Sequence, residues 1–363
     1  MATGFRPGCD LASRCRHAYV SIIVNRQRFV LEKQCITPSA HMRSQVAVLL
    51  LAAVALAQSA NPQLPDNDAV RIHEFYRLSA QIGYRVWPSW DKTPAPLLLV
   101  TPSTEFLTHY PDPPSEFKKV ADDVYARSRH FSTGLLATFP AFGPPSTIVI
   151  GEAENTDAKT STPWLLTLMH EHFHQMQDGQ PGFFDAVNGL GLAHGDKTGM
   201  WMLNYPFPYE KPELVNSFGQ LRDLLLTSLN EQNHKSFHQL VRQYIAERHN
   251  FFAQLAPDDR KYLNFQLWRE GIAQYVQIRA AEMAAAYEPT PEYGALADYE
   301  SFETYAAKAR TDTISELKRV DLAKWKRVAV YPFGACEGLL LDRLNPKWRD
   351  GYFQHLFTLD PYF

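Results

Sequence analysis

Three histidines occupy alternate positions in the segment PWLLTLMHEHFHQMQDG, and a glutamate lies between the first two: His170, Glu171, His172 and His174. In a β-strand all three histidines would share one face and could form a three-histidine metal site. In an α-helix each residue turns by about 100°, so His170 and His174 lie about 40° apart and His172 points away. The secondary structure therefore decides which histidines can bind one metal ion.

The residues around the histidines predict a helix. Thr162 can cap its first turn, and Pro163 is tolerated at the first helical position, where the missing N–H is not needed. Apolar residues then recur at steps of three and four, without valine or isoleucine: Leu165, Leu166, Leu168, Met169, Phe173 and Met176. We expect a buried helix.

On a helix the segment becomes H-E-x-x-H. Two neutral imidazoles one turn apart, His170 and His174, can bind one zinc ion, and Glu171 can take a proton from a water molecule that the metal holds. His172 is then left to packing or to a supporting hydrogen bond. A helical protein that binds no metal and carries the pattern by coincidence is the alternative.

A catalytic zinc ion normally has three protein ligands and a water molecule, so one ligand is missing. The strongest candidate is Glu270, in the middle of the predicted helix NFQLWREGIAQYVQ. Gly271 follows it and would permit two helices to approach closely. Glu270 could instead be a surface carboxylate or the partner of a buried arginine. Glu337, in YPFGACEGLLLD, is the second candidate.

The pair of segments HEHFH and LWREGIAQY resembles the gluzincin metallopeptidases, the thermolysin-like and aminopeptidase N-like enzymes, over two short motifs. In that family the third zinc ligand is a glutamate on a second helix. The resemblance implies one zinc ion bound by His170, His174 and Glu270, with Glu171 as the general base. It also implies a zincin-like fold.

Two positions depart from the familiar gluzincin pattern. Glu270 follows His174 by 96 residues, farther than in the enzymes named, so a helical insertion must fold back. Gln274 stands where thermolysin-like enzymes have an aspartate that supports a zinc-binding histidine. Gln177 or Asp178 would then have to provide that support.

Hydrolysis of an amide also needs a donor to the oxyanion that forms on the carbonyl. Aminopeptidase N-like enzymes use a tyrosine at a broadly comparable distance downstream, and the resemblance makes Tyr331, 61 residues after Glu270, the candidate. A packed core tyrosine is the alternative. His194 and Tyr205 are weaker candidates.

The remaining elements predict an α+β protein, in which a small N-terminal mixed sheet carries the HExxH helix and a mostly helical C-terminal half follows. Apolar periodicity predicts helices at NDAVRIHEFYRLSAQIGYRVW, SEFKKVADDVYAR, ELVNSFGQLRDLLLTSL, FHQLVRQYIAERHNFFAQL and YLNFQLWREGIAQYVQIRAAEMAAA. Strands are predicted at PLLLVTP, TEFLTHYP and STIVIGEAEN.

The strand STIVIGEAEN is expected to be the edge strand above the metal, where an extended peptide could pair with it, as in zincins. Glu152 and Glu154 could bind a substrate amino group, or they could be charges that protect a sheet edge from aggregation. The long irregular segment 193–212 could wall a cleft, or it could be an aromatic-packed connection.

The N-terminal sequence predicts export. Residues 42–57 have a positive start, an apolar run and small residues before Gln58, as in a signal peptide. We expect residues 1–41 to be a misassigned upstream extension. Three of the four cysteines precede residue 42, so only Cys336 would remain, and no disulfide framework or stable membrane anchor is expected.

The exported protein would have a sheet-containing subdomain, 58–215, with the HExxH helix, and a helical subdomain, 216–363, with the third ligand. A formal charge of −3 without long basic runs argues against nucleic acid as the main partner. The prediction is a periplasmic or extracellular zinc peptidase acting on a peptide or protein. A catalytically inactive zincin-like scaffold that binds a peptide or an envelope partner is the alternative, although Glu171 argues against it.

Overall fold

The computed structural model of this protein describes residues 62–363 and, before them, only the backbone of the strand Ser21–Ile22. The strands are β1 Ser21–Ile22, β2 Leu97–Val100, β3 Thr104–Thr108, β4 Lys118–Ala121, β5 Val124–Ser128, β6 Leu136–Phe139 and β7 Thr147–Gly151. They form one sheet in the order β1-β6-β7-β2-β3-β5-β4. Only β2 and β7 pair in parallel. The predicted mixed sheet is confirmed.

The helix predicted in residues 115–127 is wrong. This segment forms the hairpin β4–β5, and β5 pairs along its whole length with β3. Asp123, at the turn, has a φ of 52°, a left-handed conformation that aspartate tolerates and that ends a helix. Across the β3–β5 pair Arg127 Nε lies 2.7 Å from the buried Glu105 carboxylate. Pairing with a strand already in place outweighs the local helical pattern.

Helices make up most of the remaining chain, and the other predicted helices are all present. Their bounds are α1 Asp66–Val86, α2 Ser161–Asp178, α3 Phe183–Gly189, α4 Trp201–Asn204, α5 Pro212–Asn230, α6 His234–Ala253, α7 Pro257–Gln266, α8 Ile272–Ala284, α9 Pro291–Gly294, α10 Phe302–Arg319, α11 Leu322–Trp325, α12 Val330–Leu344 and α13 Trp348–Gly351. A π-helical turn, Leu267–Gly271, joins α7 to α8. Short 3₁₀ turns complete the chain.

Helix α2 lies at the centre of the molecule. Every residue of α2 except Pro163 is buried. It packs on β6 and β7 of the sheet and on α1 and α8. Residues from both predicted subdomains, from Ile72 to Tyr362, belong to one continuous cluster of buried apolar side chains. The histidine helix is therefore enclosed between the sheet and the helical half.

The strand predicted as the sheet edge, β7, lies inside the sheet between β6 and β2. That prediction is wrong because β6, four residues long with no alternating pattern, was not expected from the sequence. The strand β6 lies between β7 and β1, and Ser21 and Ile22 pair with Thr138 and Ala137. The end strands of the sheet are β1 and β4, so neither β7 nor β6 is an edge strand.

The irregular segment 193–212 contains one short helix, α4, and is packed by aromatic residues. Trp201, Met202 and Phe207 are buried, and the ring of Tyr205 stacks on Tyr262 with centroids 4.4 Å apart. These contacts favour the packed connection over the wall of a cleft.

The predictions of a signal peptide at 42–57 and of an upstream extension at 1–41 concern residues outside the described part of the chain, apart from the two residues of β1. Within residues 62–363, none of the helices combines the length and apolar character needed to span a bilayer.

Candidate metal centre

Helix α2 begins with a different cap from the one expected. The residue before its first turn is Thr160, in an extended conformation, and Thr162 lies inside the helix. The Thr162 hydroxyl donates to the Glu300 carbonyl at 2.5 Å, and the Ser161 hydroxyl donates to Asp298 at 2.6 Å. The predicted helix is confirmed, but these two hydroxyls anchor its start to a neighbouring segment instead of capping it.

His170, His174 and Glu270 converge on one point. The two Nε2 atoms are 3.1 Å apart, and Glu270 Oε2 lies 3.5 Å from His174 Nε2 and 4.0 Å from His170 Nε2. Ligand atoms about 2.0–2.1 Å from a tetrahedral zinc ion are about 3.4 Å from one another. The three atoms thus have the spacing of one face of such a coordination sphere.

The buried carboxylate of Glu270 supports the same conclusion. Only 3% of Glu270 is exposed, and its Oε2 has no hydrogen-bond partner among the described residues. A buried carboxylate oxygen without a hydrogen bond is costly, and a cation at the convergence point would remove that cost. The histidines with Glu171 likewise form a fully buried group that can hold a metal ion. The donor set fits a divalent cation.

The turn that carries Glu270 is π-helical and packs against α12 without a side chain between the backbones. A Cβ atom built on Gly271 would lie 2.7 Å from Gly334 Cα, and one on Gly334 would lie 2.6 Å from Gly271 Cα. The predicted close approach is therefore present, but its partner is α12 rather than the histidine helix.

Glu171 is fully buried next to the two histidines. Its Oε2 accepts a hydrogen bond of 2.7 Å from the Thr138 hydroxyl on β6, while its Oε1 has no hydrogen-bond partner in the described part of the chain. Burial raises the pKa of Glu171 to about 7. One oxygen is thus held in place, and the other is available to accept a proton. Thr138 was not predicted, because the strand that carries it was not.

The histidines are held in forms that suit metal binding. Burial lowers the pKa of His170 to about 3, so its imidazole is neutral and has a lone pair to donate. His174 Nδ1 lies 2.7 Å from Gln177 Oε1. Asp178 instead binds Arg269 at 2.8 Å and Ser146 at 2.7 Å. Of the two residues expected to support a histidine, Gln177 does so.

Tyr331 and Arg327 line the other side of Glu270. The Tyr331 ring is nearly parallel to that of His170, with centroids 6.4 Å apart, and burial raises the pKa of its hydroxyl. Arg327 donates to the same hydroxyl at 3.2 Å and lies 3.9 Å from Glu270 Oε1. Burial alone would raise the pKa of Glu270, but His174 and Arg327 lower it overall. Arg327, one helical turn before Tyr331, was overlooked in the sequence.

His172 points away from the metal centre, as predicted. Its Nδ1 lies 2.7 Å from Gln175 Oε1, and its ring contacts Trp90 with centroids 4.8 Å apart. Burial lowers its pKa. His172 is therefore a packed residue, and its burial favours the neutral form.

The second candidate ligand, Glu337, is not brought to the metal centre. It accepts hydrogen bonds of 2.6 Å from both Tyr244 and Arg248. Its Oε1 is thus paired with a buried arginine, while its Oε2 has no hydrogen-bond partner in the described part of the chain. Glu337 is therefore engaged away from the two histidines, and its assignment as a ligand is wrong. His194 is exposed, and Tyr205 donates to Asp259 at 3.0 Å, so neither belongs to this cluster.

The acidic pair after β7 has structural partners. Glu154 lies 3.2 Å from Arg71 in an ion pair, and Glu152 accepts from Asn155 at 2.8 Å. These contacts do not favour the binding of a substrate amino group.

A cavity of about 290 Å³ opens beside the cluster. Its lining includes Thr167, one turn before Glu171 on α2, and Tyr331 from α12. Gln274 and Gln277, which follow Glu270 on α8, also line it. Gln274, at the position of the supporting aspartate in thermolysin-like enzymes, therefore faces this cavity.

Comparisons with known proteins identify no relative. No protein-family model matches the chain, and neither the curated proteins nor the solved structures contain a significant match. The assignment of a possible HExxH metal site therefore rests on the motif and on the geometry of the buried residues His170, Glu171 and His174.

Proposed function

We propose that this protein is a zinc-dependent peptidase in which His170, His174 and Glu270 would hold one zinc ion and Glu171 is the general base. One observation carries the proposal: the Nε2 atoms of His170 and His174 converge with Glu270 Oε2, a buried oxygen without a hydrogen bond in the described chain. Glu171, whose Oε1 likewise has no hydrogen bond there, lies beside them. An HExxH helix alone would leave the site one ligand short.

A bound zinc ion would supply Lewis acidity, lowering the pKa of water and polarising the scissile carbonyl. Glu171 Oε1 accepts the proton of the attacking water, while Thr138 holds Oε2. Protonated Glu171 then gives this proton to the leaving amine. A pKa raised to about 7 by burial suits a group that must take up and release a proton near neutral pH.

Tyr331 is assigned to the oxyanion that develops on the substrate carbonyl. Arg327 donates to the tyrosine oxygen, so the tyrosine O–H remains able to donate. That O–H must turn to the substrate carbonyl during the reaction. Arg327 adds a positive charge beside the same region.

The neighbouring cavity suits an amide substrate. Gln274 and Gln277 each offer a donor and an acceptor, the groups that a peptide backbone requires.

One observation favours the alternative, a binding scaffold without turnover. The proposed ligands are almost completely buried, at 0% exposure for both histidines and 3% for Glu270. Turnover requires that the cavity connect with the metal position when substrate binds.

The decisive test combines zinc analysis with peptide hydrolysis. A chain starting at Gln58 would be purified, and zinc would be measured by elemental analysis. Exposed His234 and half-buried His238 have Nε2 atoms 3.2 Å apart and form a surface pair that can take up zinc adventitiously. The background variant therefore carries His234→Ala and His238→Ala. We expect one zinc per chain, and none after His170→Ala.

Glu171→Gln in that background separates the enzyme from the scaffold. We expect it to retain zinc and to lose hydrolysis of a quenched-fluorescence peptide library by at least about 10²-fold, because the general base is gone. Hydrolysis at the original rate would refute the mechanism. Zinc binding without hydrolysis in the parent chain would favour the scaffold, and a parent chain without zinc would leave the motif as a coincidence.

A further inference from the structure

The side-chain amide of Gln177 contacts both segments that supply metal ligands. Its Oε1 lies 2.7 Å from His174 Nδ1 on the same helix. Its Nε2 donates to the carbonyl oxygens of Trp268, at 3.1 Å, and Arg269, at 3.3 Å, in the π-helical turn that carries Glu270. The same nitrogen lies 2.9 Å from the Tyr352 hydroxyl, and Gln177 is fully buried.

The two carbonyl groups fix the orientation of this amide. Carbonyl oxygens only accept hydrogen bonds, so the NH₂ group of Gln177 must face Trp268 and Arg269. The amide oxygen then faces His174, and because it too only accepts, His174 Nδ1 must carry the proton. In the neutral imidazole, His174 Nε2 is then the unprotonated nitrogen, and its lone pair is directed at the metal position.

The π-helical turn needs donors from outside the helix. A π turn contains one extra residue, so the regular ladder of main-chain hydrogen bonds is interrupted there. Gln177 and the Tyr352 hydroxyl both donate to the Trp268 carbonyl, two residues before Glu270. These bonds hold the turn in the geometry that directs Glu270 towards the histidines.

We propose that Gln177 is a positioning residue that couples the two ligand-bearing segments: its oxygen sets the tautomer of His174, and its nitrogen holds the π turn of Glu270. The inference rests on the proposed metal centre, but it does not require peptidase activity. One substitution should thus disturb two ligands that are far apart in the sequence.

The test uses a matched pair of glutamines on α2. Gln175 makes the same kind of bond, 2.7 Å from Nδ1 of His172, and also donates to two carbonyls, those of Pro96 and Ser146. Its histidine is not a ligand. Gln175→Met and Gln177→Met each remove one buried amide of nearly equal length, so they should lower the melting temperature of the metal-free protein similarly.

Zinc affinity distinguishes the two variants. With competition against a chelator, Gln177→Met should weaken zinc binding by about 10–100-fold, the usual effect of losing a residue that supports a ligand. Gln175→Met should stay within about threefold of the parent. Equal weakening in both variants, or unchanged affinity in Gln177→Met, would overturn the proposal.

Two further measurements keep the inference testable if Gln177→Met does not fold. Tyr352→Phe removes the second donor to the Trp268 carbonyl, together with the hydroxyl that contacts Gln177 Nε2, and should weaken zinc binding by several-fold. Unchanged affinity would contradict a π turn held by outside donors. In the metal-free parent, nitrogen NMR should find the neutral His174 ring protonated on Nδ1, and a neutral ring protonated on Nε2 would overturn the assignment. A parent that binds no zinc refutes the proposed function, whereas the NMR result stands independently of it.

Discussion

Replacement of Gly271 by alanine would place a methyl group where two helix backbones touch. The new Cβ would lie 2.7 Å from Gly334 Cα and 3.1 Å from the Val330 carbonyl oxygen. The shortest ordinary contact of such an atom is 3.4 Å, so the helices must separate by about 0.7 Å. Backbone atoms cannot turn aside as a flexible side chain can.

This separation has two effects of calculable size. Overpacking costs about 1–3 kcal/mol, against a gain of about 1 kcal/mol from the higher helix propensity of alanine, so a net loss of up to about 2 kcal/mol is expected. The melting temperature should fall by up to about 3 °C, because a chain of about 300 residues has a large entropy of unfolding. Glu270 is the adjacent residue, and metal ligands tolerate displacements of only about 0.2 Å. Zinc affinity should therefore fall by about tenfold or more.

Gly219→Ala is the matched control. Gly219 lies within α5, and a Cβ atom there meets no described atom within 4 Å. This variant should be as stable as the parent or about 0.5–1 kcal/mol more stable, with unchanged zinc affinity. Thermal unfolding and chelator competition measure both variants. If Gly271→Ala behaves like Gly219→Ala in both assays, the argument from helix contact is refuted.

Three further substitutions test other parts of the site. Thr138→Val removes the hydrogen bond to Glu171 Oε2 and should lower kcat by about 10-fold or more at unchanged zinc content, because hydrogen bonds to charged groups contribute about 1.5–3 kcal/mol. An unchanged kcat would exclude a role of Thr138 in orienting Glu171. Tyr331→Phe should lower kcat by about 10²-fold with little change in KM, and a change in KM alone would contradict an oxyanion role. Arg248→Met leaves Glu337 as an unpaired buried charge, so denaturant unfolding should show a loss of stability of about 3–5 kcal/mol. The number of zinc ions bound per folded chain should not change, and a loss of zinc would connect Glu337 to the metal site.

The histidine helix and Glu270 were predictable from the sequence because both depend on local information. An i, i+4 spacing fixes His170 and His174 on one face as soon as the segment is helical. A glutamate followed by glycine in an apolar helix indicates two candidates, Glu270 and Glu337, and the resemblance of LWREGIAQY to the gluzincin motif favours Glu270. The partner of Gly271 is Gly334, which the sequence does not indicate.

The supporting residues were not predictable, because they come from distant parts of the chain. Thr138 lies on a four-residue strand recognisable only from its pairing with β7. Arg327 precedes its helix in a stretch with several basic residues and has no distinguishing pattern. The hairpin in residues 115–127 depends on its pairing with β3, a non-local contact that helical periodicity does not report.

The repeated histidine–glutamine contact on α2 has a mechanical consequence. His172 and His174 differ by about 200° around the helix axis, so their glutamines reach opposite sides. Gln175 attaches α2 to segments beside the sheet, and Gln177 attaches it to the helical half. Such a helix can neither roll nor slide without breaking buried bonds on one flank. Its amide hydrogens should therefore exchange with solvent only when the whole protein unfolds, and ligand geometry should persist until that point.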